Sequence, residues 1–200
     1  IKAINKQQLA KYLLMILILS FQGFIGWYMV KSGLVNNPYV SHYRLSTHLI
    51  IAIGLYSYIF YQLFPQQDNN KLYHIKPFLY TLLFLLYGQI FMGGMVAGLK
   101  AGLIYNTFPL MGDSLVPYEI KLYDFNDPVT VQFIHRILAY LLIAFCFYVS
   151  YMLYCANMKY LAWLLFGICL LQGVLGVLTL LYMVKPVLAL FHQAGSIVLI

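Results

Sequence analysis

The chain has 200 residues, of which 63% are hydrophobic and only 8% charged. Soluble domains carry about a quarter charged residues, so this composition excludes that class and indicates a membrane protein lying in a lipid bilayer. The formal charge of +7 suits loops facing anionic lipid, and no basic patch fit for nucleic acid is present.

Residues 1–10 are polar and lead into a full-length apolar run without a small-residue cleavage site, so no cleavable signal peptide is expected. Apolar runs at 12–30, 45–64, 78–99, 130–154 and 160–184 each have about twenty residues, enough to cross the bilayer core. A sixth begins at Pro186 and runs to Ile200. Fifteen residues rise about 22 Å, short of a crossing. The last helix is therefore expected to be truncated, and the chain, which does not begin with Met, to be a fragment.

Lys2, Lys6 and Lys11 flank the first span, Lys71 and Lys76 lie in the second loop, and Lys159 lies in the fourth. This places the N-terminus on the positive, cytoplasmic-type side. The bias is small, because Lys31, Arg44, Lys100, Lys121 and Lys185 fall opposite. The long third loop, with Asp113, Glu119, Asp124 and Asp127, faces out.

Three histidines lie one to two turns inside apolar helices: His48, His135 and His192. An ionisable residue within a span is costly and marks a site with a partner. Neutral imidazole is also a common axial ligand of haem iron. The second, fourth and sixth spans run in the same direction. At about 1.5 Å per residue, all three rings lie within roughly 10 Å of the outer helix ends. Rings at equal depth on parallel helices can hold one iron from opposite sides.

An internal repeat supports this reading. Gln22-Gly23-Phe24-Ile25-Gly26 in the first span matches Gln172-Gly173-Val174-Leu175-Gly176 in the fifth, and each precedes a helix with an early histidine. The first pair has the longer connector, which contains Asn36-Asn37-Pro38. A duplicated helix pair implies two pseudo-equivalent bundles.

Arg136, next to His135, offers a bidentate charge for a haem propionate, against the plainer reading of an interfacial snorkelling side chain. His192 alone would read as an interhelical hydrogen-bonding residue, and it gains ligand character from its match with His135. His42 and His74, beside Tyr43 and Tyr73, read as interfacial loop residues. Gly94, Gly98 and Gly102 share one helix face, suited equally to helix packing and to cofactor contact. The apolar, Gly-rich stretch 98–113 reads as an ordered segment on the outer face, capping a site. Cys146, Cys155 and Cys169 lie in or at the ends of spans, so neither a disulfide framework nor CxxC chemistry is expected.

Residues 96–113 (VAGLKAGLIYNTFPLMGD), 132–140 (QFIHRILAY), 26–34 (GWYMVKSGL) with 43–49 (YRLSTHL), and 190–195 (LFHQAG) resemble haem A synthase of the proteobacterial and mitochondrial type. The match runs in order over nearly the whole chain, and the 98–113 stretch is its most specific part. The resemblance implies an all-α integral membrane protein of eight helices in two pseudo-symmetric transmembrane four-helix bundles. One bundle is complete here and one is half present. Residues 1–76 would form half of the N-terminal, substrate-haem bundle and residues 77–200 the C-terminal haem b bundle. The family oxidises a ring methyl of haem O, its substrate, to the formyl group of haem A for cytochrome oxidase assembly. His135 and His192 would ligate haem b, with Arg136 beside them, and His48 would be one of the substrate-haem pair. The other substrate-side histidine and a functional glutamate would belong to two helices preceding residue 1. The outer-loop cysteine pair of the Gram-positive branch is absent.

The implied surroundings are a bacterial inner membrane, or the mitochondrial inner membrane in a eukaryote. A haem O synthase would supply the substrate. The electron acceptor is unidentified, and a homo-oligomer is compatible with the sequence. Two other readings stand beside this one: a bis-histidine membrane cytochrome b that only carries electrons, and a transporter whose histidines relay protons. The topology makes its own prediction. Ser114→Cys should react with a membrane-impermeant thiol reagent in intact cells or spheroplasts. Labelling only after permeabilisation would invert the orientation.

Overall fold

The computed structural model describes residues 5–33, 39–64 and 72–200. Lys2, Lys71 and the Asn36-Asn37-Pro38 connector lie outside the described residues. Six α-helices follow in order: α1 (Lys6–Val30), α2 (His42–Leu63), α3 (Lys76–Gly98), α4 (Pro128–Cys155), α5 (Lys159–Leu181) and α6 (Pro186–Val198). A short 3-10 turn, Ala101–Leu103, follows α3. The described residues contain no strand, only an isolated bridge between Met111 and Ser114.

The helices begin before the apolar runs that announce them, because polar residues start them. Asn5 and Gln8 form a reciprocal cap on α1, with Gln8 N–H donating to Asn5 Oδ1 at 2.7 Å and Asn5 N–H to Gln8 Oε1 at 3.1 Å. Asp127 caps α4 by accepting from the Thr130 amide at 2.8 Å, and Pro128 fills the first helical position.

Four helices, α1, α3, α4 and α5, are long and apolar enough to cross a membrane. The sequence reading counts α2 as a further span. Its 22 residues suffice in length, but its opening segment carries His42, Arg44, Ser46, Thr47 and His48, and it falls outside that set. α6, with 13 residues, is shorter than a span. The protein is an all-α, multi-pass integral membrane protein.

Each helix packs against the next in sequence, as short connections favour. Leu82 and Leu86 of α3, Leu142, Cys146, Val149 and Leu153 of α4, and Ala162 and Cys169 of α5 form the main core. Leu199, at the end of α6, packs against the same core. A smaller cluster of Met92, Met95 and Val131 lies towards the outer end.

The small-residue face of α3 is a helix seat. A Cβ at Gly94 would lie 2.7 Å from Ser46 Oγ, and one at Gly98 would lie 2.6 Å from His42 Cβ. Gly94 and Gly98 thus admit the backbone of α2, while Gly102 faces Val184. His42 is therefore the first residue of α2 and part of this seat, not a loop residue. Deeper in the same interface, the Tyr87 hydroxyl donates to Ser57 Oγ at 2.8 Å. Overfilling a tight contact costs about 1–3 kcal/mol. Gly98→Val should accordingly destabilise the protein by about that amount, read as a lowered thermal midpoint in detergent, whereas Gly88→Val, at an open position, should not.

Candidate functional site

The three singled-out histidines occupy equivalent places. His48 follows the start of α2 by six residues, His135 that of α4 by seven and His192 that of α6 by six. Each ring lies against a glycine of the preceding helix. A Cβ would come within 3.0 Å of the ring Cε1 at Gly26 facing His48, within 3.4 Å at Gly93 facing His135, and within 3.0 Å at Gly176 facing His192.

Four residues before each of these glycines stands a glutamine. Gln22 donates from Nε2 to the His48 carbonyl at 2.9 Å and lies 3.4 Å from the ring Nε2. Gln89 repeats this on α4, donating to the His135 carbonyl at 3.2 Å with its Nε2 3.3 Å from the ring Nε2. Gln172 is buried, and its amide abuts Gly195 on α6, the helix that carries His192. Any side chain at Gly195 would displace that amide.

The pattern Gln-x-x-x-Gly followed by a histidine on the next helix therefore occurs three times, not twice. The third copy, Gln89 to Gly93, is visible in the sequence once the motif is reduced to two letters. It is masked by the distance to its histidine, 46 residues against 26 for the first pair.

His135 and His192 lie on α4 and α6, which both pack against α5. His48 lies on α2, which packs against α1 and α3. Among the described residues, no three His, Cys, Asp or Glu side chains converge to form a metal cage. The Nδ1 atoms of all three histidines are buried without a hydrogen-bond partner, as are Oε1 of Gln22 and of Gln89. An unsatisfied buried polar group costs about 1–3 kcal/mol, so five of them at one depth mark a place where the polypeptide alone does not complete the bonding.

Arg136 is engaged with the outer segment. Its Nη2 donates to the Tyr105 carbonyl at 2.8 Å, and its Nη1 to those of Thr107 and Leu110 at 3.0 and 3.2 Å. Its Nε is buried without a partner. Gln132 also donates to the Tyr105 carbonyl, at 3.0 Å, and Asn106 donates to Leu180 on α5 at 2.8 Å. The 98–113 stretch is thus an ordered cap fastened to α4 and α5. Under its edge lies an apolar pocket walled by Pro109, Met111, Phe133, Ile137 and Tyr140, with Arg136 at its margin.

Beyond the cap, burial raises the Tyr105 phenol, and Glu119, which accepts its hydroxyl at 3.2 Å, raises it further. For Asp127, burial pushes the carboxyl up, but the Thr130 hydroxyl and amide, aided by Lys121, outweigh it and hold the carboxyl below its usual range. His74 lies in the turn before α3, edge-on to Tyr73. Cys146, Cys155 and Cys169 are free thiols.

Histidines set into apolar helices, each with a glutamine and a glycine of the preceding helix, define a class: multi-pass membrane proteins with ionisable side chains inside the helical bundle. The chain belongs to the COX15-CtaA family of cytochrome oxidase assembly proteins, whose profile matches residues 1–200. It is 42% identical over 216 residues to haem A synthase of Rickettsia conorii, a match covering 98% of this chain and 63% of that protein. It is 45% identical over 217 residues to haem A synthase of Rickettsia bellii, with the same coverage of each. The chain thus spans less than two thirds of the length of these curated relatives. No solved structure matches it.

The Asp127 cap carries a pH signature. A carboxyl whose folded pKa is depressed stabilises the fold above its unfolded pKa, and the effect is lost as pH falls through the folded value. Asp127→Ala should cost about 1 kcal/mol at neutral pH, and the difference should fade as pH drops below the ordinary carboxylate range. Thermal unfolding of both proteins across that range checks it.

Proposed function

We propose that this chain is the larger part of a haem A synthase, oxidising the ring methyl of haem O to the formyl group of haem A for cytochrome oxidase assembly. The observation that carries the reading is that His135 and His192, each with an orphaned Nδ1, lie on helices that flank α5. The residues fit a haem. The imidazoles are at matched depth, glycines leave room beside each ring, and the unsatisfied nitrogens call for a partner. The relatives' name agrees with this reading.

On this proposal residues 77–200 form the haem b bundle, and residues 1–76 are half of a pseudo-symmetric substrate bundle. His135 and His192 would hold haem b, which would supply one-electron transfer when bound, because ligation by two histidines favours electron transfer. His48 would ligate the substrate haem with a histidine from another part of the full-length protein. Arg136 keeps the cap closed over the outer end of α4, and its remaining donor, Nε, suits a propionate. The cap keeps water from the outer ends of the helices. The protein would lie in a bacterial inner membrane, take its substrate from a haem O synthase and pass electrons to a separate acceptor.

Three variants test the assignment in the full-length protein. His135→Ala and His192→Ala should each lower low-spin haem b by about 100-fold or more, as expected when a ligand itself is lost. His48→Ala should lower haem A formation while haem b is largely retained. Pigment extraction after expression with a source of haem O provides the measurement. Unchanged bis-imidazole spectra in the first two, or full haem A output in the third, would sink the respective roles. A parent protein that holds haem b and never yields haem A would be an electron carrier instead.

A further inference from the structure

We propose that the glutamines of the repeated motif, Gln22, Gln89 and Gln172, are positioning residues: each amide orients the imidazole on the next helix by accepting the N–H of the ring nitrogen that does not meet the iron. The proposal rests on the haem reading above and adds to it the residue that sets the ligand.

In the hairpin of α3 and α4, the Gln89 amide nitrogen is already spent on the His135 carbonyl, at 3.2 Å, and its oxygen has no partner. The His135 ring has its Nε2 3.3 Å from that same amide, and its Nδ1 has no partner. The two side chains that touch through Nε2 therefore each keep one further polar atom unpaired, Gln89 Oε1 and His135 Nδ1. The hairpin of α1 and α2 repeats the inventory atom for atom, with Gln22 Oε1 and His48 Nδ1 unpaired.

An imidazole that gives one nitrogen to iron carries its proton on the other and can only donate there. Its natural counterpart is an acceptor, and histidine ligands nearly always have one, which fixes ring orientation and raises ligand basicity. The glutamine amide is the side chain that the structure places on the rings of His48 and His135. The terminal amide torsion and the ring torsion are both broad. Turning the amide can bring its free oxygen to the ring Nε2 it already meets, leaving the orphaned Nδ1 for the iron, without moving either backbone. Gly26, Gly93 and Gly176 provide the clearance, since the ring edge rests on the spot a Cβ would claim. At the third site Gly195 serves the same end, opening the face of α6 to the Gln172 amide.

The repetition argues against coincidence. A glutamine placed only for packing has no reason to recur four residues before the glycine that faces a histidine in all three hairpins.

The test is the reduction potential and electron paramagnetic resonance spectrum of haem b in purified holoprotein carrying Gln89→Leu or Gln89→Glu. Losing the acceptor makes the imidazole a weaker electron donor, so Gln89→Leu should shift the potential upward. A carboxylate is a stronger acceptor, so Gln89→Glu should shift it downward and alter the low-spin g values in the opposite sense. If Gln89→Leu loses haem while Gln89→Glu keeps it at a lowered potential, the acceptor role stands. The proposal fails if haem-bound Gln89→Leu keeps the parental potential, if both variants shift the same way, if Gln89→Glu keeps haem without lowering the potential, or if both lose haem. A parent protein without low-spin haem would instead overturn the haem reading itself.

Discussion

Everything at this site depends on how an imidazole is lodged between two apolar helices. A polar ring in hydrocarbon is expensive unless something polar meets it. Here the previous helix does two things at once: a glycine lets the ring approach, and the glutamine one turn away presents an amide. That local solution fixes the depth and the facing of each histidine before any tertiary arrangement is considered. The proposed pairing of His135 with His192 would then follow from two such hairpins meeting around α5.

The outer cap is coupled to the same helix through neighbouring residues. Gln132, His135 and Arg136 lie within four positions of one another on α4. Two of them fasten the Tyr105 carbonyl, and the third is a proposed ligand. The guanidinium binds three main-chain carbonyls that would otherwise have to find water, which is why an apolar, Gly-rich segment is ordered there. Movement of the cap and movement of the ring would not be independent.

Much of this was legible in the sequence, for definite reasons. The histidines announce themselves because ionisable side chains are rare in apolar runs, and equal spacing from the helix starts gives equal depth. The order of the 98–113 segment could be read from its lack of polar residues. The helix starts were misplaced because hydropathy detects where chain turns apolar, whereas Asn5, Gln8 and Asp127 decide where winding begins. His42 looked like loop because its neighbours are aromatic and basic, and only the close approach of α3 at Gly98 shows it seated in a helix. The glycines at 94, 98 and 102 could serve a cofactor or a helix on spacing alone; the partner residues decide for a helix at Gly94 and Gly98, whereas Gly102 lies beyond α3 and meets Val184 of a connector. Gln89 was missed because the repeat was sought as a five-residue word. The physics conserves only the amide and the gap beside it. The commitment of Arg136 to backbone carbonyls left no sequence trace, since it depends on how a distant loop folds back.

The three clasps close loops of very different length, with 26 and 46 residues between glutamine and histidine in the first two and 20 in the third, counted from Gln172 to His192. Each doubling of a flexible loop costs only about 0.6 kcal/mol in closure entropy, less than the bonds that close it are worth. A hairpin latched by its own side chains leaves its connector free to grow. The middle hairpin has used that freedom: residues 99–127 became a lid. The other two connectors are, on the same grounds, the places where this scaffold could accept foreign sequence, such as a peptide tag or a small inserted domain, with its imidazoles left where they are.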